Sequence, residues 1–273
     1  MGVNTMTYNG IVEITNEEYH ASEGYSKSAL MTFKQSPLRF YNEYILNNRE
    51  QKQSDDMLLG TLVHTMTLEP ENIHKYIPRP KINRQTKAGK EEFAKFNAHA
   101  QEQNLTVVDV EIYEQALAMS KTVSENNIAK SIIDSAFKEQ SIYWKDELTG
   151  LTFKSRPDLV GAKISGDLKT CRDITNNGFS RACVDHGYYL QAGMAKLAMQ
   201  AHGMDFERFV FICVSKTEPY EVINYVLDEQ AIEYGVNQFK WWSMKLAEEL
   251  QKNDWLRPRV ETLSVPRWVE WNQ

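Results

Sequence analysis

Asp158, Asp167 and Lys169 are the residues whose types and spacing point most directly to chemistry. Asp167 and Lys169 are two apart, so on a β-strand both side chains leave the same face. Asp158, in Arg156-Pro157-Asp158, belongs to the preceding strand, across a short connection. Two acids and a lysine converging on one patch suit a divalent metal engaged in phosphodiester hydrolysis. The acids hold the ion, and the lysine contacts the attacking water or the scissile phosphate. A metal that takes about six oxygen ligands is not satisfied by two carboxylates. The Leu168 carbonyl is a natural further ligand, and waters and substrate phosphate can fill other positions. Glu139 either supplies another carboxylate or is an ordinary surface residue between Lys138 and Gln140.

The surrounding pattern predicts elements that could bring these groups together. Residues 151–160 read as a strand leading into Asp158, 161–166 as a turn region, and 167–170 as the next strand. A hairpin centred near Ala162 and Lys163 would place Asp158 close to Asp167. Upstream, Ser26 caps a predicted helix, and Ser36-Pro37 starts another with proline at its first position. Residues 57–68 predict a buried helix that carries His64 and is ended by Pro70. The stretch 77–90 reads as loop, and helices are predicted over 91–103 and 109–124, with more helix toward Phe137. Strands are predicted at 141–146, 206–214 and 220–227, and helices at 188–202 and 229–252. The tail, 262–269, has no clear period.

These elements describe a mixed α/β (α+β) fold, a central mixed sheet flanked by helices with a helical N-terminal elaboration. No repeat or linker divides it, so one domain is expected across 1–273. Residues 1–138 would be mainly helical, and 139–273 would form the sheet core with the metal site. At 273 residues, 42% hydrophobic and 11% aromatic, the chain can bury a core and is not of a disordered class. It contains no run of about 18 apolar residues, so no membrane span is expected. The N-terminal stretch lacks the pattern of a secretion signal, and a cytoplasmic location is expected. Three cysteines, Cys171, Cys183 and Cys213, cannot supply a four-cysteine zinc or iron–sulfur site. The net charge of −6 argues against nonspecific coating of nucleic acid but leaves room for local contact. One such locality is the basic stretch around Arg84 and Lys87, which either meets phosphates or is a solvated loop and helix start.

Three further residues could join the chemistry. His64 lies on an apolar helix, where a lone histidine is more often a packed, hydrogen-bonded residue. Gln191 and Lys196 lie on the helix after the acidic strands, where a side chain could reach phosphate or water or simply face solvent.

Taken together, several ordered segments resemble a known family. Gly60-Thr-Leu-Val-His64, with Leu68-Glu69-Pro70, is similar to an element of RecB-type nucleases. With Ser141-Ile-Tyr-Trp144, Arg156-Pro157-Asp158, Asp167-Leu168-Lys169 and Tyr189-Leu190-Gln191, the chain resembles the RecE-type recombination exonucleases of the PD-(D/E)xK superfamily. Ser26-Lys27-Ser28, the stretch 83–92 and the closing segment 262–268 add to the likeness. The resemblance implies a restriction-endonuclease-like core and a phage- or prophage-encoded enzyme acting in a bacterial host. It would digest one strand of linear double-stranded DNA from the 5′ end and leave a 3′ strand for a RecT-type annealing protein.

It further implies Mg2+, with Mn2+ as an alternative, as two ions once DNA is bound, and a homo-oligomeric ring around the DNA. Asp158 and Asp167 take the roles of metal ligands and Lys169 that of catalytic lysine. His64 matches the family's metal-site histidine, with Glu139 as a further ligand. Gln191 matches the glutamine of a Gln-x-x-x-Tyr motif, but Ala195 stands where the tyrosine is usual. Either that aromatic is dispensable, or Tyr188 or Tyr189 substitutes for it. Ser26, Ser28 and Arg156 are candidates to hold the 5′ end or a nearby phosphate. A restriction- or structure-specific endonuclease would use the same triad, whereas an inactive DNA-binding relative would need it broken.

Overall fold

In the computed structural model, which describes residues 6–49, 54–258, 260 and 262–265, the apolar run 209–214 is the middle of a strand covered on both faces. That is why it is continuous rather than alternating. In chain order the elements are β1 (Gly10–Val12), α1 (Asn16–Ala21), α2 (Lys27–Gln35) and α3 (Pro37–Phe40), which runs into a π-turn at Tyr41–Ile45. Then come α4 (Asp55–Leu68), a 3-10 segment (Pro70–Lys75), β2 (Tyr76–Pro78), α5 (Lys87–Glu102), β3 (Thr106–Val108), α6 (Val110–Glu125) and α7 (Asn127–Asp134). They are followed by β4 (Phe137–Lys138), β5 (Ser141–Lys145), β6 (Thr152–Ser155), β7 (Leu159–Val160) and β8 (Ile164–Cys171). Last are α8 (Asn176–Asp185), α9 (Tyr188–Ala201), β9 (Arg208–Ser215), β10 (Val222–Val226) and α10 (Glu229–Lys252).

The central sheet has the order β10-β9-β8-β7-β4. Its β8 and β9 are parallel, and the chain between them makes α8 and α9, the helical crossover that parallel neighbours require. The other pairs in this sheet are antiparallel, so the sheet is mixed and helices flank it. On one face Phe209, Phe211 and Cys213 pack with Phe179, Ala192 and Ala195. On the other, Leu168, Ile212 and Val214 pack with Leu59, Leu62 and Val63 of α4 and with Ala116 and Met119 of α6. Burying one such large apolar side chain stabilises the fold by roughly 1.5–3 kcal/mol.

A second sheet, β1-β5-β6, lies outside the first, and β2 and β3 form a separate parallel pair. The N-terminal arm is fastened to this second sheet. Gly10 to Val12 pair with Tyr143 to Ser141, and the buried Lys154 of β6 donates to the carbonyls of Tyr19 and Ser22, each at 2.7 Å. Among the described residues no carboxylate pairs with that ammonium, and burial pushes the lysine down to about 8.

The expected strand over 151–160 divides. β6 belongs to the second sheet and β7 to the central one, and the chain transfers at Arg156-Pro157. Proline has no N–H to give to a ladder, so a change of sheet suits it. The predicted hairpin turn is tighter than 161–166, because Ile164, Ser165 and Gly166 already belong to β8. The stretch expected as loop, 77–90, contains the end of β2 and the start of α5. Short elements such as β1, β3, β4 and α1 carry too few residues to show a period. The tail of the resemblance, 262–268, lies partly outside the described residues.

α9 and α10 cross at a glycine pair. A Cβ at Gly193 would run into the backbone of Gly235 and Val236, and one at Gly235 into the Tyr189 carbonyl. The close approach fixes α9, and with it Gln191, against the sheet. Among the described residues no helix is long and apolar enough to cross a membrane.

Candidate metal centre

Three acids reach one level of the central sheet because of its register. β4 pairs with β7 so that Lys138 faces Leu159, and the next step brings Glu139 opposite Asp158, with the Glu139 N–H donating to the Asp158 carbonyl at 3.1 Å. β7 pairs with β8 so that Leu159 faces Gly166, and the next step brings Asp158 opposite Asp167. The Leu168 N–H then donates to Asp158 Oδ2 at 2.8 Å. Glu139, just past β4, and Asp158, just before β7, therefore stand side by side with Asp167, which lies within β8. Glu139 sits at a φ of 55°, a left-handed conformation that is uncommon for a glutamate.

His64 approaches this row from α4. Its Nε2 lies 2.9 Å from Glu139 Oε1 and 3.5 Å from Asp158 Oδ1, while its Nδ1 is 3.9 Å from Glu69 Oε2. His64, Glu69 and Glu139 form a cluster whose ligand atoms all lie within 4.8 Å of one another. Gly60, one turn earlier on α4, faces Thr170 of β8, where a Cβ would make ordinary contact with the Thr170 hydroxyl at 3.5 Å. On the other side of the row, Lys169 is ion-paired with Asp167, and the Gln191 amide donates to Asp167. Asp167 is almost fully buried.

The charges are strongly coupled. Burial opposes a proton on His64, but the Asp158 and Glu139 carboxylates outweigh it and lift the imidazole to about 11. Burial would raise Asp158, yet His64, Lys169 and the Leu168 N–H hold its carboxyl below the usual range. Burial and the neighbouring Asp158 push Asp167 up. Lys169, though buried, is held charged by Asp167 and Asp158. Burial and Glu139 also raise Glu69.

This donor set fits a hard divalent cation. It offers carboxylate oxygens and one imidazole. Asp167 Oδ2 and Glu139 Oε1 are buried without an aligned hydrogen-bond donor, and each lies against a cationic side chain instead. A bound cation would satisfy such oxygens.

The candidates read from the sequence separate into three groups. Asp158, Leu168, Lys169, His64, Glu139 and Gln191 line one cleft of about 1080 Å3, with Asp167 buried beneath it. Ser26 and Ser28 line the same cleft, although the Ser26 hydroxyl also caps α2 by accepting from the Ala29 N–H at 3.4 Å. Arg84, Lys87 and Lys196 do not line it; Arg84 stacks over the Phe93 ring at 4.7 Å.

Arg156 lines the cleft, but its guanidinium is committed elsewhere. Its Nε donates to Glu139 Oε2 at 2.7 Å, and its Nη1 donates to the Ile14 carbonyl at 2.9 Å and to Ser141 Oγ at 3.0 Å. Through Nε it holds Glu139 in place. Arg156→Gln is expected to weaken Mn2+ binding about tenfold or more by freeing Glu139, as loss of a group orienting a ligand does. Calorimetric titration with Mn2+ measures this, and an unchanged isotherm would show that Glu139 needs no support.

Ala195 is fully buried beside Phe209 and Phe211, where a tyrosine ring has no room. Of the two tyrosines that could substitute, Tyr188 lines the cleft beside Lys169, whereas Tyr189 packs edge-on against Tyr234. Sequence reasoning gave no ligand role to Glu69 and no role to Lys27. The signal for Glu69 was its place just past the His64 helix, before Pro70. Cys171, Cys183 and Cys213 are free and buried.

Residues 26–255 match the family described as "PDDEXK-like domain of unknown function (DUF3799)". A solved structure of a candidate exonuclease from Eubacterium rectale is 17% identical, with a TM-score of 0.62 over 93% of this chain and 97% of that one. An alkaline exonuclease from Laribacter hongkongensis is 12% identical, with a TM-score of 0.28 over 70% of this chain and 96% of that one. No curated protein matches the chain. The mixed sheet and its flanking helices match a PD-(D/E)xK-like core.

Proposed function

The chain belongs to the PDDEXK-like domain family, and from that premise we propose that it is a metal-dependent exodeoxyribonuclease acting on linear double-stranded DNA. The observation that carries this reading is the row of Glu139, Asp158 and Asp167 on adjacent strands, with His64 on one side and Lys169 on the other. The direction proposed is 5′ to 3′, supported by the likeness of the ordered motifs to RecE-type enzymes. Digestion would leave a 3′ single strand suited to a RecT-type annealing protein, and a ring of subunits around the duplex would keep successive cuts on one molecule.

Asp158, Asp167, the Leu168 carbonyl and His64 would hold a Mg2+ or Mn2+ ion, and Glu139 with Glu69 would hold a second when DNA is present. Bound there, the metal supplies Lewis-acid polarisation of the phosphoryl group and a more acidic water. Lys169, anchored by Asp167, orients the attacking water and offsets the charge that develops on the phosphate. Gln191 fixes the Asp167 carboxylate from the opposite side, so that Lys169 and the acid keep one geometry. Arg156 fixes Glu139 in the same way.

The test compares linear duplex, labelled at either the 5′ or the 3′ end, with covalently closed circular duplex in Mg2+. Early release of the 5′ label with the circle intact is expected. Cutting of the circle would assign an endonuclease instead, and no cleavage in Mg2+ or Mn2+ would overturn the nuclease reading.

A further inference from the structure

Lys27 lines the cleft close to Lys169 and takes no part in the chemistry assigned to the acids. It is the first residue of α2, and its Nζ lies 3.2 Å from the His186 carbonyl oxygen, to which it donates. The same ammonium lies 5.6 Å from the centre of the Tyr188 ring, and Lys169 Nζ lies 4.8 Å from that same centre. Two cations thus share one aromatic ring at the wall of the cleft. Among the described residues, the carboxylate whose field reaches Lys27 is Asp167, which is already paired with Lys169. Burial, and then repulsion from Lys169, bring Lys27 down to about 8.

Lys169 has Asp167 as its counter-charge, whereas Lys27 has no carboxylate of its own among the described residues, and a half-buried ammonium left so is costly. A bound anion supplies that missing charge and offsets the repulsion from Lys169. The N-terminal end of α2 adds its partial positive charge at the same place. Tyr188 supplies a rigid floor, and Ser26 and Ser28 flank Lys27 on the cleft wall.

We propose that Lys27, which shares the Tyr188 ring with Lys169, is a substrate-contacting catalytic residue whose ammonium holds a non-bridging oxygen of a DNA phosphate. It thereby sets which phosphodiester group is presented to the acids. This role rests on the nuclease reading, because it names the partner of that site as a backbone phosphate. It also moves to Lys27 the phosphate contact that the sequence suggested for Arg156, whose Nε and Nη1 already donate to Glu139, Ile14 and Ser141.

The test uses short duplexes that each carry one neutral methylphosphonate, moved stepwise along the strand to be digested. Binding is measured in Ca2+ by fluorescence anisotropy for the wild type, Lys27→Ala and Lys27→Arg, with circular dichroism confirming the fold of each. The natural duplex is expected to bind Lys27→Ala about tenfold more weakly than wild type. At one phosphate position, the methylphosphonate should weaken wild-type binding by a similar factor and leave Lys27→Ala unaffected. Lys27→Arg, which keeps the charge, should recover sensitivity at that position. In Mg2+, Lys27→Ala should raise KM and lower kcat together.

Equal binding by wild type and Lys27→Ala, or the same sensitivity at every position, would overturn the proposal. Wild-type cleavage of the natural duplex in Mg2+ judges the nuclease reading separately. A wild type that cuts nothing yet shows Lys27-dependent phosphate coupling would keep the contact and lose the nuclease. Absence of both would remove both.

Discussion

Replacing Lys169 with methionine is expected to lower cleavage of linear duplex about a thousandfold or more. Methionine preserves most of the aliphatic volume against Tyr188 but removes the ammonium paired with Asp167. The loss falls mainly on kcat, because the lysine acts where charge develops during the reaction. A cost in stability accompanies it, since the almost fully buried Asp167 is left with Gln191 as its remaining donor. A buried group that has lost a partner typically costs about 1–3 kcal/mol. Saturating Mg2+ should restore part of that loss by supplying a new positive charge at the carboxylate. Initial rates on end-labelled duplex, with thermal melts in EDTA and in Mg2+, provide the measurement. Turnover within tenfold of wild type would remove Lys169 from the chemistry.

Asp158→Asn is expected to abolish both metal binding and cleavage while leaving the metal-free fold intact. The asparagine oxygen can still accept from the Leu168 N–H, so the strand junction keeps its hydrogen bond. What disappears is the charge at the middle of the row, between Glu139 and Asp167. In the metal-free protein that change relieves Asp167, whose carboxyl is raised by burial and by Asp158, and costs His64 one of the two carboxylates facing its Nε2. The two effects oppose each other, and the melting temperature in EDTA should move little.

In Mn2+ the variants should separate. A ligand at one hundred times its Kd stabilises a protein by about 2.7 kcal/mol. Wild type should show such a rise and Asp158→Asn almost none. A full thermal shift in the variant would place the metal elsewhere.

How much of this centre is legible in the sequence depends on distance along the chain. Asp167 and Lys169 lie on one strand, so a spacing of two already tells that they share a face. Asp158 follows from the short hairpin, and the buried helix carrying His64 follows from its unbroken apolar run. Glu139 is harder, because β4 has only two residues and leaves no alternation to read. Its place beside Asp158 comes from a pairing that only the folded sheet reveals.

Arg156 looks like a free cation in sequence, since nothing local tells that its acceptors are Glu139 and the backbone of residues 14 and 15. Lys27 hides for a different reason. The serines on either side of it attract attention as hydroxyl donors, and its neighbour Lys169 lies far away in the chain. The division of the 151–160 strand is legible only as Pro157, whose missing N–H permits the change of sheet without dictating it.

The bond from Arg156 to the Ile14 carbonyl has a practical meaning for anyone building on this scaffold. A protease site or a bulky insertion within 10–22 would strip β1 from β5, free the guanidinium and unfasten Glu139, although it lies more than a hundred residues from that acid in sequence. The arm is therefore a detachable brace. Cutting it would weaken the centre without touching a single ligand, and re-supplying the arm as a separate peptide would offer a way to restore it.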